Sequence, residues 1–165
     1  MESFFPTSGG YKIYDGMFAL FVGINNYEYL GHLNLAEADA GDMYEAFRNR
    51  GFKEWDMKLL TNEEATKKGI EEGFDFLEEK SKENSLLIIF LAGHAVWIKK
   101  KKNKEEDKFF FCPQNFREDT CEETGIDFQY IYNRAENLGF KHTVFILDCC
   151  HSGGIFEVPQ LQVFK

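Results

Sequence analysis

Positive charge is in deficit in this chain. Its 19 Lys and Arg stand against 28 Asp and Glu, for a net charge of −9. That argues against nucleic-acid backbone binding, which needs clustered Lys and Arg. The single basic run, Lys99 to Lys104, gives way at once to Glu105-Glu106-Asp107. It reads as a solvated loop, which also offers a cut site to a protease acting after Lys. Long apolar runs are missing too, since no stretch approaches the ~20 residues that cross a bilayer. The start, Met1-Glu2-Ser3-Phe4-Phe5-Pro6, lacks the basic beginning and apolar centre of a secretory signal. The expectation is a cytoplasmic protein with no nucleic-acid and no membrane partner. Cysteine is sparse, at four residues, and in a reducing compartment these read as thiols rather than a disulfide framework. There are no internal repeats.

The 165 residues fit one domain with a real core. Phe is over-used, at 18 residues, many of them in strand-like runs, so packing is its expected role. Residues 1–16 are turn-rich and read as an N-terminal arm. Residues 17–154 read as the folded domain, and 155–165 as an apolar tail or processing segment beside an unfinished sheet. Met17 to Ile24 predicts a central strand. Leu35 to Arg50 predicts a helix capped by Asn34 and stopped by Gly51. Met57 to Leu60 predicts a second strand. Thr61 with Glu64 three residues on reads as a capping box opening a helix that runs to about Lys82. Leu86 to Leu91 is a third strand, 93–107 a long polar loop, and Lys108 to Cys112 a short strand stopped by Pro113. Residues 114–125 read as irregular, Ile126 to Leu138 as a helix, and His142 to Leu147 as the last strand. Such alternation predicts an α/β three-layer sandwich, a mostly parallel sheet with helices on both faces.

Two stretches carry chemistry. Ile89-Phe90-Leu91-Ala92-Gly93 ends in His94, and Phe145-Ile146-Leu147-Asp148-Cys149 ends in Cys150-His151-Ser152-Gly153. Parallel strands ending side by side bring their last residues together at the carboxyl edge, where open α/β sheets place their sites. A thiol with a histidine base is the minimal machinery of thiol catalysis. Neighbouring side chains on a strand point to opposite faces, so Cys149 and Cys150 do not both aim at His94. By the same rule His151 turns away from the thiol, and His94 is the preferred base. His32 and His142 read as surface or loop histidines. The backbone N–H groups at Gly93 and Cys150 are the natural donors to an oxyanion.

From Phe18 to Gly154 the chain resembles the large, p20-type catalytic subunit of the caspase-like cysteine peptidases, nearest to metacaspases and paracaspases. The resemblance rests on Ala19-Leu20-Phe21-Val22-Gly23-Ile24-Asn25-Asn26-Tyr27, Leu35-Ala36-Glu37-Ala38-Asp39-Ala40, Ala92-Gly93-His94, Phe110-Phe111-Cys112-Pro113 and Asp148-Cys149-Cys150-His151-Ser152-Gly153. The last of these matches the metacaspase nucleophile motif. The resemblance implies Cys150 as nucleophile, with Cys149 a small packing residue, and His94 as catalytic histidine. His94 stands 56 residues before Cys150, close to the ~50 of caspases. Ala95 is a departure, since the family usually has a second Gly there.

No Lys or Arg occurs from Ile13 through Phe47, so an arginine that would hold a substrate carboxylate has no counterpart before the first helix. Asp39 and Asp148 match positions that line the first specificity pocket of metacaspases, and a pair of acids there selects Lys or Arg. The chemistry requires no cofactor. Calcium is a family activator, and the candidate ligands are Asp107, Asp119 and Glu157, with Glu122 and Glu123 nearby. No compact calcium loop and no zinc spacing is present. The resemblance also implies a small, p10-type subunit or a second chain as partner, and protein or peptide substrates. Two other readings stay open: a catalytically weak or inactive signalling module, which Ala95 favours, and a peptidase cutting after Asp.

Overall fold

The computed structural model describes residues 13–98 and 108–149. Its order is β1 (Gly16–Gly23), α1 (Ala36–Arg48), β2 (Met57–Thr61), α2 (Lys67–Lys80), β3 (Ser85–Gly93), β4 (Ala95–Ile98), β5 (Lys108–Phe111), α3 (Cys121–Thr124), β6 (Ile126–Asp127), α4 (Phe128–Asn137) and β7 (His142–Cys149).

Alternation along β1 and β3 sets the layers. Phe18, Leu20 and Val22 of β1 and Leu87, Ile89 and Leu91 of β3 face one side, while Ala19, Phe21, Ile88, Phe90 and Ala92 face the other. All of them are buried, which is why both strands read as continuous apolar runs rather than alternating ones. The strands lie in the order β2-β1-β3-β7, every pairing parallel. On one face α2 packs through Ile70, Phe74 and Leu77, and α4 through Ile131 and Ala135. On the other, α1 packs through Ala36, Ala40, Met43, Tyr44 and Phe47. The expected α/β sandwich with helices on both faces is what forms.

β7 is the outermost of these strands. Odd residues Phe145, Leu147 and Cys149 join the α2/α4 side, and Ile146 joins the α1 side. Among the described residues the cover is thin there, and Val144 is 42% exposed.

Four local expectations are corrected. Asn34 does not cap α1. The cap position is Leu35, with no side-chain bond, and the N–H of Glu37 donates instead to Asn25 Oδ1 at 3.2 Å. The capping box at Thr61 and Glu64 is not made: residues 62–64 form a 3-10 turn, and α2 is capped by Thr66, whose Oγ1 accepts from the Gly69 N–H at 3.1 Å. Residues 95–98, expected within a polar loop, form β4, which pairs antiparallel with β5. Ile126 and Asp127, expected to be helical, pair with Phe111 and Phe110 instead, and Asp127 caps α4 by accepting from the Gln129 N–H at 2.9 Å. At Asn34, residues 95–98 and Ile126-Asp127 a partner distant in sequence won over local preference, whereas at α2 a nearer residue, Thr66, took the cap.

Gly23 closes β1 against the start of α1. A Cβ added there would overlap the Ala36 carbonyl oxygen and come within 2.6 Å of the Ala40 Cβ. Both obstacles are rigid, so Gly23→Ala must push the helix off the sheet. We expect a loss of about 1–3 kcal/mol, measured by urea unfolding, together with weakened function at the sheet edge that α1 borders.

Candidate active site

All four parallel strands end at the same edge. Gly23 pairs with Thr61 on one side and Ala92 on the other, and Gly93 pairs with Cys149. His94 is the first residue past β3, and it is held at three points. Its backbone N–H donates to Tyr27 Oη at 2.7 Å. Its carbonyl accepts from the Cys112 N–H at 3.0 Å. Its Nε2 lies 2.8 Å from the Gly31 carbonyl oxygen. A carbonyl can only accept, so Nε2 is the donor in this contact, and the tautomer that fits it has the lone pair on Nδ1. The Tyr27 ring packs beside the imidazole, centroids 4.8 Å apart.

Gly93 makes this possible. Its φ is +156°, and a Cβ there would sit 2.5 Å from Tyr27 Oη. The chain thus turns out of β3 into the space below His94, and the hydroxyl of Tyr27 fills the place a side chain would take.

The loop from Ile24 to Leu35, which brings Tyr27 and Gly31, is tied down at several points. The Ile24 N–H donates to Ala92 O at 3.1 Å, Leu33 to Asn25 O at 2.9 Å and Glu28 to Gln114 O at 3.0 Å. Asn62 Oδ1 accepts from the N–H groups of Asn25 and Asn26 at 2.9 and 3.0 Å.

The caspase domain family model matches residues 17–163. The chain belongs to the caspase-domain family. The fold is also similar to the crystal structure of protein GSU0716 from Geobacter sulfurreducens, with a TM-score of 0.65 at 21% identity over 86% of this chain. This caspase domain spans 53% of that chain, about half its length. No curated protein sequence matches it.

In the caspase domain, Asp148 follows the even-numbered β7 residues onto the α1 face, where it pairs in register with Ala92. Asp39 sits in the first turn of α1, whose Ala36 and Ala40 rest on Gly23. Both acids therefore border the carboxyl edge on the same face. Two strand spacings, about 10 Å, separate the Asp148 and Gly23 backbones. Cys149 turns to the opposite face and packs against the α2/α4 core. Ala95 is buried in that same core, so the methyl that distinguishes it from glycine serves packing. His32 is exposed, and His142 lies exposed at the start of β7, where its Nδ1 is 3.0 Å from Tyr14 Oη.

Cys112, Cys121 and Cys149 are thiols outside any disulfide. Burial pushes the Cys112 thiol well above its ordinary range, which keeps it neutral and inert as a nucleophile.

Of the candidate calcium ligands, Asp119 binds Arg117 through both carboxylate oxygens, at 3.1 and 2.9 Å. The Arg117 hydrogen bonds hold its carboxyl below the usual range. Glu122 lies 3.8 Å from Lys108 Nζ. Among the described residues no three His, Cys, Asp or Glu side chains gather to hold a metal ion. Among the described residues, too, no helix is long and apolar enough to cross a membrane. Cys150, His151, Asp107, Glu157, the lysine run and the tail from 155 lie outside the described residues.

The site contains groups that motif reading passed over. Gly31 acts through a backbone carbonyl, which leaves no side-chain signature. Tyr27 and Asn62 carry a detectable signal: both are polar residues placed just past a predicted strand end, at the edge where His94 emerges.

Proposed function

We propose that this caspase domain is the catalytic portion of a cysteine endopeptidase of the metacaspase type, with Cys150 as nucleophile and His94 as its base. The observation that carries the reading is the β3–β7 register. Gly93 and Cys149 are paired, so the next residues of the two strands are His94 and Cys150, each one ~3.8 Å Cα step further along the chain. The hydrogen bond from His94 Nε2 to Gly31 O supports the same role, because it selects the tautomer whose Nδ1 accepts a proton.

In this mechanism the Cys150 thiol gives its proton to Nδ1, and the thiolate attacks the scissile carbonyl carbon. The backbone N–H groups of Gly93 and Cys150 are the proposed donors to the oxyanion. The C–N bond breaks as the imidazolium returns the proton to the leaving amine, and a thioester remains. Water, losing a proton to His94, hydrolyses it and regenerates the thiol. Throughout, the Gly31 carbonyl keeps accepting from Nε2–H and so holds the ring in one orientation.

The preference proposed is for Arg or Lys before the cut, because Asp39 and Asp148 share the α1 face at the site's edge. Charged hydrogen bonds of this kind contribute about 1.5–3 kcal/mol. Asp148→Ala should accordingly raise KM for an Arg-ending peptide by roughly 10–100-fold with a smaller change in kcat. The test compares fluorogenic peptides ending in Arg and in Asp, with and without calcium, beside Cys150→Ala. Cleavage after Arg that disappears in the variant supports the reading. Cleavage after Asp overturns the pocket assignment, and no turnover of either peptide by the full protein favours a non-catalytic module.

The proposal includes a second segment, on this polypeptide or another chain, that adds to the sheet beyond β7. The thin cover that the described residues give Val144 supports it.

A further inference from the structure

Resting on the dyad reading above, we infer that Tyr27 and Asn62 are positioning residues that hold the His94 imidazole where it can take the thiol proton. The argument begins with Asn62. It lies one residue past β2, is buried, and holds a φ of +44°. Asn visits this region more readily than other non-glycine residues, yet it is uncommon and needs support from its surroundings. The support is visible: Oδ1 accepts the N–H groups of two successive residues, Asn25 and Asn26. Those are the residues directly before Tyr27. The side chain of Asn25 is occupied in turn by the Glu37 N–H at the start of α1.

From this fixed point the Tyr27 ring reaches His94. Gly93 has turned the His94 N–H away from the strand ladder, and that N–H finds its acceptor in Tyr27 Oη at 2.7 Å. Hydroxyl and glycine are matched parts, because a Cβ on residue 93 would collide with Oη. The bond to Gly31 fixes only the far end of the imidazole. The Tyr27 hydroxyl fixes its backbone root, and two anchors at opposite ends define where Nδ1 lies. Without the hydroxyl, the His94 N–H is left unpaired in a half-buried position, and the backbone there keeps only the Cys112 N–H on its carbonyl.

The test is the pH dependence of Cys150 alkylation by iodoacetamide, with the modified thiol located by mass spectrometry, on the full chain. Four forms are compared: the unaltered protein, His94→Ala, Tyr27→Phe and Asn62→Gly. Tyr27→Phe keeps the ring and removes only the hydroxyl. Asn62→Gly keeps positive φ accessible and removes only the amide. If one variant fails to fold, the other carries the test.

If the dyad operates, the unaltered protein should be alkylated at Cys150 at lower pH than His94→Ala, whose thiol keeps the ordinary cysteine range of ~8.5. The expected result is that Tyr27→Phe and Asn62→Gly each lose ~10-fold of this low-pH reactivity and match the unaltered protein at high pH, where the thiol ionises unaided. A merely structural role would lower the unfolding temperature and leave the profile in place. Variant profiles that superimpose on the unaltered one overturn the positioning role while the dyad stands. If His94→Ala itself changes nothing, the dyad has failed, and the positioning role falls with it.

Discussion

If the proposed dyad operates, turnover of an Arg-ending peptide should fall by ~10³-fold or more in Cys150→Ala, and to about the same level in His94→Ala. The two should agree because they remove halves of one device. Without the thiol there is no acyl acceptor. Without His94 the thiol, with an ordinary pKa of ~8.5, is mostly protonated at neutral pH and the leaving amine has no proton donor. Groups that act as a unit are not additive, so the double variant should be no slower than either single one. Peptide turnover by the three variants, with folding verified by unfolding midpoint, checks this. Multiplicative losses in the double variant would mean that Cys150 and His94 act independently, against the adjacency inferred from the Gly93–Cys149 pairing.

Phe74→Ala should cost about 3–5 kcal/mol of folding stability, a large part of the roughly 5–15 kcal/mol that holds a typical domain together. Phe74 is fully buried on α2, between Ile70 and Leu77, against the β1 and β3 residues of the same core. The residue before it, Gly73, leaves space into which Leu20 packs, 2.9 Å from where a Cβ would be. The seam is tight, and the cavity left by a removed ring has little freedom to collapse. Urea unfolding should show a lower midpoint at unchanged slope. Lys68→Ala, on the exposed side of the same helix with its pair to Glu72, should stay within about 0.5 kcal/mol of the parent. A Phe74 effect below about 1 kcal/mol would contradict the packing of α2 on the sheet.

The consequence reaches the site. The start of α2 is stitched to the loop after β5 through Lys67 N–H to Asn115 Oδ1 at 3.2 Å and Gln114 N–H to Ala65 O at 2.9 Å. Gln114 in turn accepts from the Glu28 N–H, in the loop that carries Gly31. Loosening α2 should therefore relax the Gly31–His94 bond before the sheet itself opens.

Much of the fold was legible along the chain. β1 and β3 were found as continuous apolar runs, because strands buried on both faces have no polar side to break the pattern. α2 was found from Ile70, Phe74 and Leu77, whose spacing is helical. The order of strands and helices then led to the parallel sandwich. Asn34 and Thr61 looked like caps by type and position, yet α1 takes its acceptor from Asn25 and α2 its cap from Thr66. Ala95 to Ile98 looked like part of a loop because its strand pairing is with residues on the far side of the lysine run.

The sequence by itself marked the candidates for chemistry: a histidine and a cysteine at the ends of two apolar strands, with acids beside them, in a chain of net charge −9. Residue type and period are local properties and are written in the chain. Only the tertiary structure decided that β3 and β7 are neighbours with Gly93 opposite Cys149, that Asp39 and Asp148 border one face, and that Gly31, Tyr27 and Asn62 hold His94 and its loop. The reason is that the hydrogen bonds joining Gly31 and Tyr27 to His94 span more than sixty residues of sequence. Backbone carbonyls and amides are alike at every position, and only folding selects which of them meet.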